Sequence, residues 1–227
     1  MAELVTYEHD GRIATIVMDD GKVNVFSVAM LRGLHAAFDR AEGDGAVVVL
    51  VGREGYFSAG FDLKVLAGGR DEIVEILTLG ATLAERILSF PTPVIVACTG
   101  HAYPAGAFLL LAADLRLGAA GPFRIGLNEV RIGMTVPWFA IEIARQRLLP
   151  AYFDRTVVSG AMFDPDEAVT AGFLDRVVAP GALRATAGEA ASDFADLDLR
   201  AHAVTKRRAR AGALTALRTA IESELSG

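Results

Sequence analysis

Residues 99–114, TGHAYPAGAFLLLAAD, decide the fold, because one element ends in them and another begins. The preceding apolar run, PVIVACTG (93–100), is typical of a strand buried on both faces. A turn of small residues follows at 104–106, and an uncharged helical run then continues to Asp114. A buried strand that leads through a tight turn into a helix predicts an α/β fold. The stretch contains no serine, cysteine or carboxylate before Asp114, so the turn itself supplies neither a serine or cysteine nucleophile nor a carboxylate base.

The rest of the chain repeats this alternation. A second apolar run, AVVVLVG (46–52), also predicts a buried strand, and the small residues of REGYFSAGFDLK (53–64) follow it. Asp10-Gly11 lies between two alternating segments and predicts a hairpin, while Ser27 is a candidate N-cap. Further helices are predicted over 27–42, 71–89, 138–147, 150–159 and 165–171, and from about 182 onward. Strands alternating with helices favour α/β layers around a parallel sheet.

Composition excludes several classes of protein. The 227 residues fit one large domain, and 52% of them are hydrophobic, which predicts a sizeable core. A net charge of −6 argues against a nucleic-acid surface, and the lone Cys98 fits a reducing compartment. The four histidines lack metal-ligand spacing, and no apolar run is long enough to span a bilayer. We therefore expect a soluble cytoplasmic protein without a metal, a nucleic-acid partner or a membrane partner.

One basic run stands out near the C-terminus, KRRAR at residues 206–210. It is either the solvated face of a helix or a local anchor for a phosphorylated small ligand.

The two glycine-containing turns are the first candidate site. Phe57–Lys64 follows one buried strand, and the turn at 104–106 follows the other. Small residues let a backbone approach a ligand closely, and helix N-termini present free N–H groups. Two such turns facing one crevice would direct two backbone donors at one oxygen, which is an oxyanion hole. Ordinary tight packing of both turns is the alternative, and spacing alone does not separate the two.

Glu129, in FRIGLNEVRIGM, is the second candidate. If this segment stays extended, Glu129 shares a face with Phe123, and with apolar residues between them, which would raise its pKa and suit a proton carrier. The alternative is a glutamate at the rim, paired with Arg131 or Arg124. Asp62 and Asp114 are expected to be caps or ion-pair partners. Ser58 lies one residue out of register for a nucleophile elbow.

At these residues the sequence resembles the crotonase (enoyl-CoA hydratase/isomerase) superfamily, from about residue 4 to about residue 205. Four motifs in the expected order carry the resemblance, and its details are most similar to Δ3,Δ2-enoyl-CoA isomerases. The motifs are Phe57-Ser58-Ala59-Gly60-Phe61-Asp62-Leu63, then Gly100 with Pro104-Ala105-Gly106 and Asp114, then Ile125-Gly126-Leu127-Asn128-Glu129, and finally 168–178, AVTAGFLDRVV.

The resemblance implies a crotonase-type ββα spiral core with a C-terminal helical region. We assign residues 1–190 to a core that binds acyl-CoA and residues 191–227 to a helical oligomerisation region, shorter than in typical members. It also implies a homotrimer or hexamer, and an acyl-CoA thioester substrate. No separate cofactor is expected, since CoA enters as part of the substrate.

The resemblance also assigns roles by position. The main-chain N–H groups of Phe61 and Ala105 would hold the thioester oxygen, and Glu129 would be the catalytic carboxylate. Hydratases of this family use a second glutamate, and Phe108 stands at that position here. The remaining substrate-binding positions are Lys22, Val23, Ala59, Asp62, Leu63 and Lys64, at the nucleotide end of CoA.

Phenylalanine neither holds nor deprotonates water, so the resemblance favours proton transfer over hydration. The first hypothesis is an isomerase that moves a proton from C2 to C4 of a 3-enoyl-CoA through Glu129. The alternatives are an enoyl-CoA hydratase, a non-catalytic acyl-CoA-binding homologue and a surface interaction module. The non-catalytic alternative predicts that Glu129 forms an ion pair with Arg131, away from the thioester.

Overall fold

The fold is mixed α/β in a computed structural model, which describes residues 3–225. The strands are β1 Val5–Asp10, β2 Ile13–Met18, β3 Val25–Phe26, β4 Val47–Val51, β5 Gly55–Ser58, β6 Gly60–Phe61, β7 Val94–Cys98, β8 Gly100–Ala102, β9 Leu115–Ala119, β10 Ile125–Gly126, β11 Met162–Phe163 and β12 Arg176–Val178. The α-helices are α1 Val28–Asp44, α2 Leu63–Leu66, α3 Arg70–Ser89, α4 Ala105–Ala112, α5 Trp138–Arg145, α6 Pro150–Val157, α7 Pro165–Ala171, α8 Leu183–Ala195, α9 Leu199–Ala209 and α10 Ala211–Leu225. Single 3₁₀ turns lie at Glu129–Ile132 and Pro180–Ala182.

Two sheets organise the strands. The larger has six strands in the order β1-β2-β4-β7-β9-β12, in which only the β1–β2 hairpin is antiparallel. The smaller has the order β11-β10-β8-β5, and β3 pairs in parallel with β6 beside it. Chain order steps repeatedly from the large sheet to the small one and then into a helix, as in β4-β5-α3 and β7-β8-α4. This repetition is the ββα spiral that the sequence resemblance implied.

Both predicted apolar strands are buried on both faces, and β4 shows why. Val48 and Leu50 contact the core that contains α1, α3 and α4, whereas Val47, Val49 and Val51 face a second cluster. α8 covers that second side through Leu183, Ala187, Ala191 and Ala195, spaced four apart. Ser27 caps α1 as predicted, since its hydroxyl accepts a hydrogen bond from Met30 N at 3.2 Å.

The basic run forms a solvated helix face only in part. Lys206 is buried, and its Nζ lies 2.6 Å from a carboxylate oxygen of Asp114, at the end of α4. Arg210 reaches the other oxygen of the same carboxylate at 2.9 Å, so neither residue is available to a phosphorylated ligand. Arg207 and Arg208 remain exposed. The run therefore joins α9 to the end of α4.

The boundary predicted between residues 190 and 191 falls inside α8, the helix that covers the second core cluster. After α8, α9 contacts α3, and α10 packs against α3 and α5. A separate oligomerisation role for residues 191–227 stays a prediction. Among the described residues, no helix is long and apolar enough to cross a membrane. Within residues 3–225, no group of three histidine, cysteine or acidic side chains is placed to hold a metal.

Candidate active site

A cavity of about 440 Å³ lies where the two glycine-containing turns meet the segment that carries Glu129. Its walls are predominantly apolar, which is typical of a pocket for a small ligand. The lining residues are Val23, Val25, Ala59, Phe61, Asp62, Leu63, Lys64, Leu66, Leu77, Tyr103, Pro104, Phe108, Asn128, Glu129, Ile132, Met134, Thr135 and Pro137.

The two turns contact each other directly. A Cβ on Gly60, whose φ is +89°, would lie 2.6 Å from Pro104 Cδ and 2.7 Å from the carbonyl oxygen of Tyr103. A Cβ on Gly106 would lie 2.9 Å from the carbonyl oxygen of Ser58. The sequence suggested that small residues here make room for a ligand. The structure shows that these glycines first make room for the opposite turn, which brings both backbones to one edge of the cavity.

One backbone N–H from each turn is left without an acceptor in its own element. Ala105 is the first residue of α4, and the first N–H groups of a helix have no intrahelical partner. Asp62 N donates to Phe26 O at 3.2 Å, toward β3. Because successive N–H groups point to opposite sides of an extended strand, the N–H of Phe61 faces away from β3. Phe61 and Pro104 line the cavity, whereas Ala105 is buried and is not among the lining residues.

Ser58 has a structural role in this arrangement. It is buried, its hydroxyl donates to Asn24 O at 2.7 Å, and it accepts from Gly60 N at 3.1 Å. These bonds hold the turn before Phe61 and agree with the sequence argument against a nucleophile.

Glu129 lines the cavity, but its backbone conformation differs from the one that the sequence suggested. Strand β10 ends at Gly126, and Glu129 begins the 3₁₀ turn that ends at Gly133. Residues 123–129 therefore do not stay extended throughout, and the condition under which they would share one strand face is not met. The predicted apolar surroundings are nevertheless found, because the turn places Glu129 among the cavity walls.

The Glu129 carboxylate is buried and unpartnered. The residue is 4% exposed, and neither carboxylate oxygen accepts a hydrogen bond from any other residue of the described range 3–225. Loss of solvation disfavours the charged form and raises the pKa of Glu129 to about 7. A carboxyl group with this pKa can both accept and return a proton near neutral pH.

The rim alternative for Glu129 is wrong. Arg131 donates its Nε–H to Gly160 O instead, and no ion pair between described residues includes Glu129 or Arg124. The ion pair that the non-catalytic alternative predicted is therefore not formed.

Phe108 faces the cavity from the first turn of α4. Its ring lies 6.4 Å from that of Phe61 and 5.8 Å from that of Phe139, which it meets edge-on. Phe108 is 2% exposed and lines the cavity. It forms an aromatic wall at the position where, by the sequence resemblance, hydratases have a second glutamate.

Most of the predicted substrate-binding residues line one cavity, namely Val23, Ala59, Asp62, Leu63, Lys64 and Phe108. Lys22 is exposed and lies outside the lining. Asp62 also caps α2, since it accepts from Lys64 N at 2.9 Å. Sequence reasoning missed Asn128 and Tyr103. The amide oxygen of Asn128 is buried and accepts no hydrogen bond from the described residues. In the sequence, the position of Asn128 next to Glu129 was the only indication that it belongs to the site.

Known proteins resemble this chain in sequence and in structure. A family model described as "Enoyl-CoA hydratase/isomerase" matches residues 8–226. A probable enoyl-CoA hydratase from Mycobacterium avium is 30% identical over 192 residues, which are 82% of this chain and 74% of that protein.

Two solved structures extend the similarity over nearly the whole chain. An enoyl-CoA hydratase/isomerase family protein from Pseudomonas syringae is 46% identical with a TM-score of 0.96, over 98% of this chain and 97% of the other. An enoyl-CoA isomerase from Mycobacterium tuberculosis is 43% identical with a TM-score of 0.95, over 100% and 99% of the two chains. These findings confirm the resemblance seen in the sequence motifs, while the names of the relatives include both hydratases and isomerases.

Proposed function

Because the chain belongs to the enoyl-CoA hydratase/isomerase family, we propose that it moves the double bond of a 3-enoyl-CoA to the 2-position. One observation carries this proposal. The cavity contains the buried carboxylate of Glu129, which has no hydrogen-bond partner among the described residues, and it is also lined by the ring of Phe108. One carboxylate is sufficient to transfer a proton. Hydration in the manner of the family's hydratases requires two.

In the proposed reaction, Glu129 removes a proton from C2 of the 3-enoyl thioester. The electron pair of that C–H bond forms the C1–C2 double bond of a dienolate that keeps its C3–C4 double bond, and the carbonyl π pair moves to the thioester oxygen, where negative charge develops. The C3–C4 pair can then take a proton at C4 while the C1–C2 pair becomes the C2–C3 double bond and the carbonyl forms again. The same carboxyl group then returns the proton to C4, and the 2-enoyl-CoA results. Atoms and charge balance without a metal or a redox cofactor, because only one proton changes position.

The oxygen of the dienolate would be held by the N–H groups of Phe61 and Ala105. A thioester α-proton is too weakly acidic for a carboxylate unless the enolate oxygen is stabilised where its charge forms. The contact between the two turns at Gly60 supports this role, since it fixes both backbones before the substrate arrives. The neutral aromatic wall at Phe108 would keep water from the dienolate.

Hydration of a 2-enoyl-CoA is the second candidate, and Asn128 is the observation that favours it. Its unpartnered amide oxygen and the Glu129 carboxylate line the same cavity. A buried water needs two or more polar partners, and these two groups would provide them. Hydration is the weaker candidate, because Phe108 stands at the position of the second acid–base group.

Product analysis tests the proposal. Purified protein is incubated with a 3-enoyl-CoA and, separately, with a 2-enoyl-CoA, and the 2-enoyl and 3-hydroxyacyl products are quantified by chromatography. We expect double-bond migration from the first substrate and no rapid formation of 3-hydroxyacyl-CoA from the second. Fast hydration would instead establish the second candidate. Binding of both substrates without turnover would favour the non-catalytic alternative. A homotrimer or hexamer, as the sequence resemblance implies, remains part of the proposal.

The pH dependence follows from the pKa of Glu129, which burial raises from 4.5 to about 7. The base must be ionised to accept the C2 proton, so kcat/KM should rise with pH and reach half of its plateau near pH 7. Initial rates of isomerisation between about pH 5 and about pH 9 measure this profile. A profile that is flat above about pH 5 would contradict the proposed base, because it would require an ordinary, solvated carboxylate.

A further inference from the structure

Gly80 lies in the middle of α3, where the ring of Phe61 packs against it. A Cβ at this position would fall well inside van der Waals contact of Cε1 and Cζ of Phe61. Glycine in a helix interior costs about 1 kcal/mol relative to alanine. At Gly80 the space that a side chain would occupy is filled by the ring of Phe61.

The cavity is open space next to the Phe61 ring. The backbone of Phe61 is fixed by the pairing of β3 with β6 and by the close approach of Gly60 to the other turn. Phe108 blocks a second side, and Phe108 is itself fixed by its edge-on contact with Phe139. Another side of the ring borders the cavity that Phe61 lines.

The same face of α3 borders the cavity. Leu77, one turn before Gly80, is a lining residue, and so is Phe61. A side chain at position 80 would push the ring about 1 Å toward this space before its carbon atoms reached normal contact distance. The volume lost would come from the apolar part of the cavity, between Leu77, Phe61 and Phe108.

We infer that Gly80 is a specificity-determining residue: it accommodates the ring of Phe61 and so keeps the cavity open to a long acyl chain. This inference rests on the proposed function, because it takes the cavity to be the acyl site. It assigns Gly80 no contact with the reacting atoms. Its effect passes through the position of the Phe61 ring.

Equilibrium binding of two unreactive thioesters tests the inference. Acetyl-CoA carries the nucleotide and the thioester with almost no acyl chain, whereas decanoyl-CoA also fills the apolar space. Gly80→Ala should bind decanoyl-CoA about tenfold more weakly, as expected for roughly two lost methylene contacts, and should bind acetyl-CoA as the wild type does. For a ten-carbon 3-enoyl-CoA, KM should rise with little change in kcat.

Two variants separate this role from a general effect on folding. Gly188→Ala, in the interior of α8 where a Cβ would meet nothing within 4 Å, is the matched control and should leave both affinities unchanged. Phe61→Leu combined with Gly80→Ala should restore decanoyl-CoA binding, because leucine keeps the backbone N–H and removes the ring. Equal weakening of both ligands in Gly80→Ala, or no rescue by the double variant, would overturn the inference.

The inference and the proposed function fail in different ways. If the wild type binds both thioesters but moves no double bond, the proposed reaction is wrong and the effect of Gly80→Ala still decides the inference. If the wild type binds neither thioester, both are wrong.

Discussion

Glu129→Gln should lower kcat for double-bond migration by about 10³-fold or more, because it removes the only acid–base group proposed for the reaction. Glutamine has nearly the same shape as glutamate and cannot accept a proton. Among the neighbouring groups of the cavity, Asn128 and Thr135 do not act as bases and Phe108 is apolar. Asp62 is the other carboxylate of the lining, and it caps α2 by accepting from Lys64 N. Single-turnover measurements with a 3-enoyl-CoA would follow the chemical step directly.

The stability of the same variant provides its control. The pKa of Glu129 is raised in the folded protein to about 7 from 4.5, so the protonated form is favoured by folding. The stability that the protonated Glu129 contributes to the folded protein is fully present below pH 4.5 and is lost as pH rises through about 7. Above this pH an ionised Glu129 lowers the free energy of unfolding by about 3 kcal/mol. Glu129→Gln should therefore be more stable than the wild type near pH 8, and about equally stable near pH 4.

Urea unfolding at these two pH values measures the difference, and decanoyl-CoA binding shows whether the cavity is intact. An inactive variant that is more stable and still binds ligand cannot owe its inactivity to misfolding. Isomerisation that persists in Glu129→Gln would show that another group carries the proton, and the proposed mechanism would then be wrong.

The sequence predicted the strands correctly where the residues of a strand themselves determine its burial. The runs at 46–52 and 93–100 are apolar at every strand position, and β4 and β7 contact core clusters on both faces. The hairpin at Asp10-Gly11 and the cap at Ser27 were also predictable, because turn and cap chemistry depends on adjacent residues.

The predictions that were wrong depended on distant parts of the chain. The run at 206–210 has a high local charge, and nothing near it in sequence indicates that Lys206 is buried against Asp114, 92 residues away. For Glu129, the assumption of an extended strand predicted the apolar surroundings correctly, although the backbone at Glu129 forms a 3₁₀ turn. Its burial comes from cavity walls supplied by four separate segments, among them Phe61 and Phe108. Gly80 gave no signal, because its partner is a ring from strand β6 and not a residue of α3 itself.

Phe108→Glu should give the protein hydration activity toward a 2-enoyl-CoA, at a rate about 10²-fold or more above that of the wild type. The new carboxylate would enter from α4 the cavity that Glu129 also lines, and the pair would hold and activate a water that one carboxylate and an aromatic ring do not. Phe108→Gln, similar in size and without an acid–base group, is the matched control and should not hydrate.

The substitution should also cost about 3 to 5 kcal/mol of stability, because Phe108 is 2% exposed and packs between two other aromatic rings. Thermal unfolding would show the temperature range in which the variant is folded, and formation of 3-hydroxyacyl-CoA is compared only within it. Phe108→Leu keeps the wall apolar at a smaller cost, so it should retain isomerisation and gain no hydration. Rapid hydration by the leucine variant, or by the wild type itself, would show that Glu129 and Asn128 already hold the water. The ring of Phe108 would then set the shape of the cavity and not its chemistry.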